Sequence, residues 1–204
     1  PDIRLMGVLN RIALAYFFAG LLFCYFKPQA LVGIAVGILA GYWALMTFVP
    51  VPGVGAGHFE EGKNLANYLD ARFLPLRKWD GDHDPEGLLS TIPAVCTVII
   101  GFYIGGLIGK GNTGGRTVLL LLLFGAASAG LGILWGQFFP INKPLWTSSY
   151  VLYTAGLAMG ALAVIYLIAD VLKFQAIGTP FMVFGTNALF AYFLAGIWTK
   201  MMLY

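Results

Sequence analysis

Six long apolar stretches are the feature that most limits what this chain can fold into. A helix that crosses a lipid bilayer needs about 20 mostly apolar residues, and each stretch reaches that length. Hydrophobic residues make up 59% of the chain and charged residues only 10%, which is too few charges to cover a water-soluble fold. We therefore predict an all-α, polytopic transmembrane helical bundle that forms a single membrane domain over residues 1–204. The six spanning helices are predicted at about residues 5–26, 30–49, 88–108, 117–139, 149–172 and 181–203.

The long polar segment of the chain lies between the second and third of these helices, at residues 50–87. It holds seven of the nine acidic residues and both histidines. The short connections at the other side of the predicted bundle carry four basic residues, Lys27, Lys110, Arg116 and Lys173. Because basic residues in short loops favour the cytoplasmic side, we predict that loop 50–87 is extracytoplasmic. It has no Asn-x-Ser/Thr site for glycosylation, which favours a multi-pass protein of the bacterial inner membrane over a lysosomal one.

Composition also bears on partners and metals. The net charge of +3 is small and divided among apolar runs, so we expect the lipid bilayer as a partner and no nucleic acid. His58 and His83 are far apart in sequence with no cysteine near either, and we predict no metal site. Glycines spaced by four residues, as at Gly33 and Gly37, let helices approach closely in lipid, either within one bundle or across a homodimer seam.

Arg11 and Asn187 are polar residues inside predicted spans. Arg11 is costly there unless it faces a cavity, pairs with an acid or extends its side chain to the interface. The first helix contains no acid, so we expect its partner to come from the outer loop. Asn187 in the last predicted helix is expected to face the bundle interior.

Two further segments admit both a structural and a functional interpretation. Asp84 and Glu86 directly precede the third predicted helix, where acids stabilise a helix N-terminus but where two carboxylates at the membrane surface also suit an amine or sugar hydroxyls. The glycine-rich turn from Lys110 to Arg116 is either a flexible connection or a place where cations and backbone N–H groups hold phosphates. It lacks the Gly-Lys-Ser/Thr of a Walker A loop.

Five blocks of sequence carry a resemblance to a known family. They are residues 7–16 (GVLNRIALAY), 50–55 (PVPGVG), 62–66 (GKNLA), 84–92 (DPEGLLSTI) and 142–151 (NKPLWTSSYV). Together, and in this order, they make the sequence similar to the heparan-α-glucosaminide N-acetyltransferase family and its bacterial relatives. Asn10 departs from that pattern, because glutamine is usual at its position.

The resemblance implies a membrane acyltransferase that moves acetyl from cytosolic acetyl-CoA, a cosubstrate, to an amino sugar of the glucosamine type on the outer side. Asn10 and Arg11 would line the transfer path, and Asp84 and Glu86 would shape the acceptor mouth. Asn187 is a further candidate for substrate binding. The predicted topology places Lys110 and Arg116 on the side where they could contact the phosphates of CoA.

The resemblance also implies that the catalytic histidine lies in helices before residue 1. We therefore expect a portion of a longer enzyme, with no catalytic residue in this segment and no activity alone. Two other functions remain open from the sequence. One is a membrane transporter of an amino sugar or of its acetylated form, and the other is a membrane scaffold that has lost the chemistry.

Overall fold

A computed structural model describes residues 4–109, 114–174 and 178–203 of the chain. Within these ranges the protein is helical and forms no β-sheet; extended backbone pairs only at isolated positions. The all-α prediction is confirmed. In chain order the helices are α1 (Val8–Tyr25), α2 (Pro28–Phe48), α3 (Leu65–Phe73), α4 (Leu88–Gly109), α5 (Gly114–Trp135), α6 (Ser148–Tyr166, continued by a π-helical turn at Leu167–Val171), α7 (Thr179–Thr186) and α8 (Ala188–Leu203).

Five helices, α1, α2, α4, α5 and α6 with its π turn, are long and apolar enough to cross a membrane. Their bounds agree with the first five predicted spans to within about four residues at each end. Helix α4 packs against α1, α2 and α6, and α5 packs mainly against α6. Large apolar side chains such as Leu9, Phe17 and Leu123 remain exposed, as expected for helices that face lipid. The buried core between the helices is made mostly of small and branched residues, including Ala19, Leu31, Ala35, Cys96, Ile99 and Val151.

Glycine permits the closest helix approach at the contact between α5 and α6. A Cβ atom added at Gly132 would lie 2.5 Å from the backbone nitrogen of Tyr153, and one at Gly156 would lie 2.5 Å from that of Ala129. By contrast, a Cβ at Gly33 or Gly37 would meet no described atom within 4 Å. The predicted glycine spacing on α2 therefore makes no helix contact in the described part of the chain.

The sixth predicted span, residues 181–203, is not one continuous helix. It is divided at Asn187, whose Nδ2 donates to the Val183 carbonyl (3.1 Å) and to Thr186 Oγ1 (3.2 Å). Polar side chains that bond to nearby backbone carbonyls compete with regular helix formation, which gives a physical reason for the break. Among the described helices, α7 and α8 contact each other and none of the others.

The long loop folds back onto one end of the bundle. It contains the amphipathic helix α3, which the sequence analysis did not predict, and it packs on a second apolar cluster that joins α2 to the connection between α5 and α6. Tyr42 on α2 donates a hydrogen bond from its hydroxyl to the Leu145 carbonyl (2.6 Å). Phe139 is fully buried beside it, with 5.9 Å between the two ring centroids. The loop is thereby held as a cap over the bundle.

Candidate functional site

The chain enters α4 through a turn that Asp84 organises. Asp84 Oδ1 accepts a hydrogen bond from the backbone N–H of Glu86 (3.0 Å), and its Oδ2 accepts one from Trp79 (3.2 Å). The backbone N–H of Gly87 donates to the Asp84 carbonyl (3.0 Å). A carboxylate at this end of a helix is also favoured by the helix dipole. Asp84 is buried, so its side chain holds the loop to the start of the helix.

Arg4 pairs with both carboxylates at this turn. Its Nε and Nη2 donate to the two oxygens of Asp84 (2.7 and 2.6 Å), and Nη2 also donates to Glu86 Oε2 (2.5 Å). The guanidinium lies 5.0 Å from the centroid of the Trp79 ring, a cation–π distance. Burial by itself would raise the pKa of Asp84, but the hydrogen bonds from Arg4 and from the backbone outweigh it and lower that pKa.

Arg11 is buried in α1 and is held by neutral groups. Its Nη2 donates to the Pro85 carbonyl (2.5 Å) and to Ser90 Oγ (2.7 Å). Its guanidinium carbon lies 4.8 Å from the centroid of the Trp146 ring. The prediction that Arg11 pairs with an acid of the outer loop is therefore wrong. Arg4, not Arg11, pairs with the carboxylates of Asp84 and Glu86. The Nε atom of Arg11 is buried and has no hydrogen-bond partner among the described residues.

Asp70 on α3 meets the N-terminus of α4 beside Gly87. Its Oδ1 accepts a hydrogen bond from the backbone N–H of Leu88 (2.9 Å). Its Oδ2 is buried and has no hydrogen-bond partner in the described part of the chain. The residue is only 1% exposed, and this burial raises the pKa of Asp70. A carboxylate oxygen without a partner is unusual in a folded protein and calls for an explanation.

These groups surround a cavity of about 220 Å³ between the loop and the end of the helix bundle that the loop covers. We call it the polar cavity. Its lining contains four carboxylates and one imidazole, together with amides and a hydroxyl, and it includes no Lys or Arg among the described residues. The ionisable and polar lining residues are Glu61, Asn64, Asn67, Asp70, Asp80, His83, Asp84, Ser90 and Asn142.

His83 lies in one wall of the polar cavity among three acids. Its Nδ1 is 2.6 Å from Asp82 Oδ1, and its Nε2 is 3.4 Å from Glu61 Oε1 and 3.9 Å from Asp80 Oδ2. Burial by itself would lower the pKa of His83, but the surrounding carboxylates outweigh it and raise that pKa. In the described part of the chain, Glu61, Asp80 and His83 are the group that could hold a metal ion.

A second cavity of about 440 Å³ lies between α1, α4 and the connection before α6, and we call it the apolar cavity. Arg11 lines it, whereas Ser90 lines the polar cavity, and a hydrogen bond joins the two side chains. Pro85 and Pro144 line both cavities. The Arg11–Ser90 pair therefore lies in the wall between a charged compartment and an apolar one.

Sequence comparison relates this chain to two known proteins. The chain is 27% identical over 247 aligned residues to the human heparan-alpha-glucosaminide N-acetyltransferase, and it is also 27% identical to the mouse protein of the same name. Each alignment covers 93% of this chain. The chain is a distant relative of these acetyltransferases. It spans 36% of the human protein and 37% of the mouse protein. No protein-family model matches it.

The site residues predicted from the resemblance to these acetyltransferases fall into two groups. Arg11, Asp84 and Glu86 lie together at the loop end of the bundle, with Asp84 on the polar cavity and the other two on the apolar cavity. Asn10 points elsewhere: it is exposed, and its Nδ2 donates to the Leu5 carbonyl (2.5 Å). Asn187 is also exposed, at the break between α7 and α8, so the expectation that it faces the bundle interior is wrong.

Of the two residues predicted to contact CoA, only Arg116 lies among the described residues, at the end of the bundle opposite the polar cavity. Arg116 is exposed in the first turn of α5. Lys110 lies outside the described residues. Roles in binding for all seven predicted residues remain predictions.

Sequence reasoning missed three parts of the site. It did not assign Arg4 as the partner of the carboxylates, because the pairing joins residues 80 positions apart. It assigned no role to His83, whereas His83 is 6% exposed and lines the polar cavity. Asp70 carried no motif, and nothing in the mixed polar and apolar segment Leu65–Phe73 marks this acid as buried.

Proposed function

We propose that this chain forms the acceptor side of a membrane N-acetyltransferase. In this proposal, acetyl comes from cytosolic acetyl-CoA and is delivered to the amine of a glucosamine-type sugar on the outer side of a bacterial inner membrane. The relationship to the human and mouse acetyltransferases supports the reaction class. The acid-lined polar cavity supports the acceptor chemistry, and it is the observation that carries the proposal.

The lining of the polar cavity suits an amino sugar. The cavity is smaller than the roughly 300–1,000 Å³ of a drug-sized pocket, which suits one sugar ring. The amide oxygens of Asn67 and Asn142 accept hydrogen bonds from neighbouring groups, so their Nδ2 groups are the amide donors left for the hydroxyl groups of a sugar. Asp70 Oδ2, buried and without a partner among the described residues, is an acceptor for an ammonium or hydroxyl group of the ligand.

The carboxylates predicted at the acceptor mouth have a different role in this proposal. Arg4 pairs with Asp84 and Glu86, so their charges are already compensated. They position the turn at the start of α4, and Asp84 contributes part of the cavity wall. Recognition of the amine then falls to Asp70, whose Oδ2 has no partner among the described residues.

The route of the acetyl group would run past Arg11. The apolar cavity on its side of the Arg11–Ser90 pair accommodates an uncharged acyl group, whereas the polar cavity accommodates the sugar. During transfer the neutral amine forms a C–N bond to the thioester carbonyl, the C–S bond breaks, and CoA departs as a thiolate that takes up a proton. A base accepts the proton lost by the amine, and we propose that this base is a histidine outside residues 1–204.

The donor side rests on position and charge. Arg116 lies at the end of the bundle opposite the polar cavity, at the glycine-rich turn that also contains Lys110. We propose that these two cations contact the phosphates of CoA. The arrangement gives the donor and the acceptor separate faces of the membrane.

An assay with full-length protein, isotopically labelled acetyl-CoA and a panel of amino sugars tests this function, with products followed by mass spectrometry. Asp70→Asn keeps an acceptor for the Leu88 N–H but removes the charge, so we expect at least a tenfold rise in KM for the sugar, the equivalent of losing about 1.4 kcal/mol. Glu60→Gln is the matched control, because Glu60 is an exposed acid of the same loop that pairs with Lys63.

Two results would contradict the proposal. One is failure of any amine to accept the label while acetyl-CoA also fails to bind. The other is uptake of unmodified sugar into vesicles without acetylation, which would favour the transporter. Equal effects of Asp70→Asn and Glu60→Gln would show that the polar cavity is not the acceptor site.

A further inference from the structure

Three potential metal ligands converge in the wall of the polar cavity. His83 Nε2 lies 3.4 Å from Glu61 Oε1 and 3.9 Å from Asp80 Oδ2, and all three ligand atoms lie within 4.8 Å of one another. Bonds of about 2.0–2.2 Å from Zn²⁺ to nitrogen and oxygen place tetrahedral ligand atoms about 3.3–3.6 Å apart. The shortest separation already has this value, and small movements of the exposed Glu61 and half-exposed Asp80 side chains would bring the others to it.

The orientation of the His83 ring is suited to a metal ligand. Its Nδ1 lies 2.6 Å from Asp82 Oδ1, and a neutral ring that donates Nδ1–H to this carboxylate presents the Nε2 lone pair to Glu61 and Asp80. Three electron-pair donors then face one point. Metal-bound histidines typically donate their other N–H to a carboxylate in this way, which fixes the ring and increases its basicity.

Asp70 supplies independent evidence that this cavity takes a cation. It is not one of the three converging ligands, yet it lines the same cavity, is 99% buried, and has an Oδ2 atom without a partner among the described residues. Of the four carboxylates in the lining, Asp84 is paired with Arg4, and the described lining contains no Lys or Arg. Apart from His83, no basic side chain of the described lining faces the charges of Glu61, Asp70 and Asp80, which favours a bound cation.

We propose that Glu61, Asp80 and His83 bind a divalent transition-metal cation, with Zn²⁺ preferred. One nitrogen and two carboxylate oxygens are a donor set that suits Zn²⁺. Three protein ligands leave a tetrahedral ion one position for water or for a hydroxyl group of a bound molecule. The ion would join the segment that contains Glu61 to the turn that contains Asp80 and His83, and so would fix one wall of the polar cavity. This site goes beyond the proposed acetyl transfer, and its test needs neither acetyl donor nor acceptor.

A metal titration of the full-length protein tests the site. Chelator-treated protein in detergent is titrated with Co²⁺, whose visible absorption reports tetrahedral coordination, and Zn²⁺ is then added to displace it. Metal content after dialysis is measured by mass spectrometry. We expect one ion per chain to be bound by the wild type and lost in His83→Ala. His58→Ala is the matched control, because His58 is an exposed histidine of the same loop, and it should bind as the wild type does.

Two milder variants distinguish ligation from a folding defect. Glu61→Gln alters an exposed side chain and should weaken Co²⁺ binding while the thermal unfolding midpoint of the metal-free protein stays unchanged. Asp82→Asn keeps the His83 ring and should lower the affinity by about 10–100-fold, as expected for a residue that orients a ligand. Binding that is absent from the wild type, or that is equal in the wild type, His83→Ala and Glu61→Gln, would overturn the proposal.

Discussion

Replacing Gly87 with alanine should destabilise the junction between the loop and α4. A Cβ atom at this position would lie 1.8 Å from Oδ2 and 2.5 Å from Cγ of Asp70, which is far inside van der Waals contact, so Asp70 must move. Its movement breaks the hydrogen bond from the Leu88 N–H, and a buried donor without a partner costs about 1–3 kcal/mol. Overpacking adds a cost of similar size. We therefore expect a loss of about 3 kcal/mol in the free energy of unfolding.

The assay is unfolding of the purified protein in mixed micelles as the fraction of denaturing detergent rises. Gly101→Ala is the control, because a Cβ at Gly101 within α4 meets no described atom within 4 Å; it should change stability by no more than about 1 kcal/mol. In an Asp70→Ala background the obstacle is gone, so Gly87→Ala should then cost almost nothing. Equal costs of Gly87→Ala with and without Asp70 would refute the steric explanation.

Three further substitutions probe other contacts by the same unfolding assay. Arg4→Gln should cost about 1–2 kcal/mol, because it removes charge-assisted hydrogen bonds at a partly exposed site. Arg77→Gln, at an exposed arginine, is the control and should cost less than about 0.5 kcal/mol. Equal losses would contradict the ion-pair assignment. Gly132→Ala should cost about 3 kcal/mol, because the facing backbone of α6 cannot move away. Gly130→Ala is the control and should be neutral, because its added Cβ meets no described atom within 4 Å. A neutral Gly132→Ala would show that α5 and α6 are not in contact there. Arg11→Lys should cost about 1–2 kcal/mol, since the shorter lysine side chain does not reach both acceptors of Nη2 and its ammonium does not stack on Trp146 as a planar guanidinium does. An unchanged unfolding midpoint would show that these contacts do not stabilise the fold.

The spanning helices could be predicted from the sequence because the requirement for them is local. A backbone in lipid must satisfy its hydrogen bonds within the segment, so apolar length alone located α1, α2, α4, α5 and α6. The same criterion failed at residues 181–203, where apolar length suffices but Asn187 and Thr186 bond to the backbone and divide the helix.

The candidate site was only partly predictable because its key contacts join distant positions. The motif at residues 84–92 located the turn at the start of α4. For Arg11 the sequence left three alternatives open, and the structure has the one in which its side chain lines a cavity. The partners could not be assigned: an arginine near the N-terminus competes for the same carboxylates, and Arg4 is the one that pairs with them. Which arginine pairs with which acid depends on where the loop lies on the bundle.

The glycine pattern shows the same limit. Spacing by four residues occurs on α2 and on α6 alike, yet Gly156 on α6 lies against the backbone of α5 while Gly33 on α2 meets open space among the described residues. A small residue permits a close helix approach but does not determine which helix approaches. Which helix lies against a given glycine depends on how all the helices are arranged in the bundle.

Transfer between two compartments tests the central claim most directly. Full-length protein would be reconstituted in one orientation into sealed vesicles, with labelled acetyl-CoA on the side of Arg116 and glucosamine on the side of the polar cavity, and the products in each compartment would be identified by mass spectrometry. We predict N-acetylated sugar in the compartment that faces the polar cavity, with much less formed by Asp70→Asn. Unmodified glucosamine crossing the membrane, or acetylation only when both substrates share a compartment, would contradict the proposed transfer across the membrane.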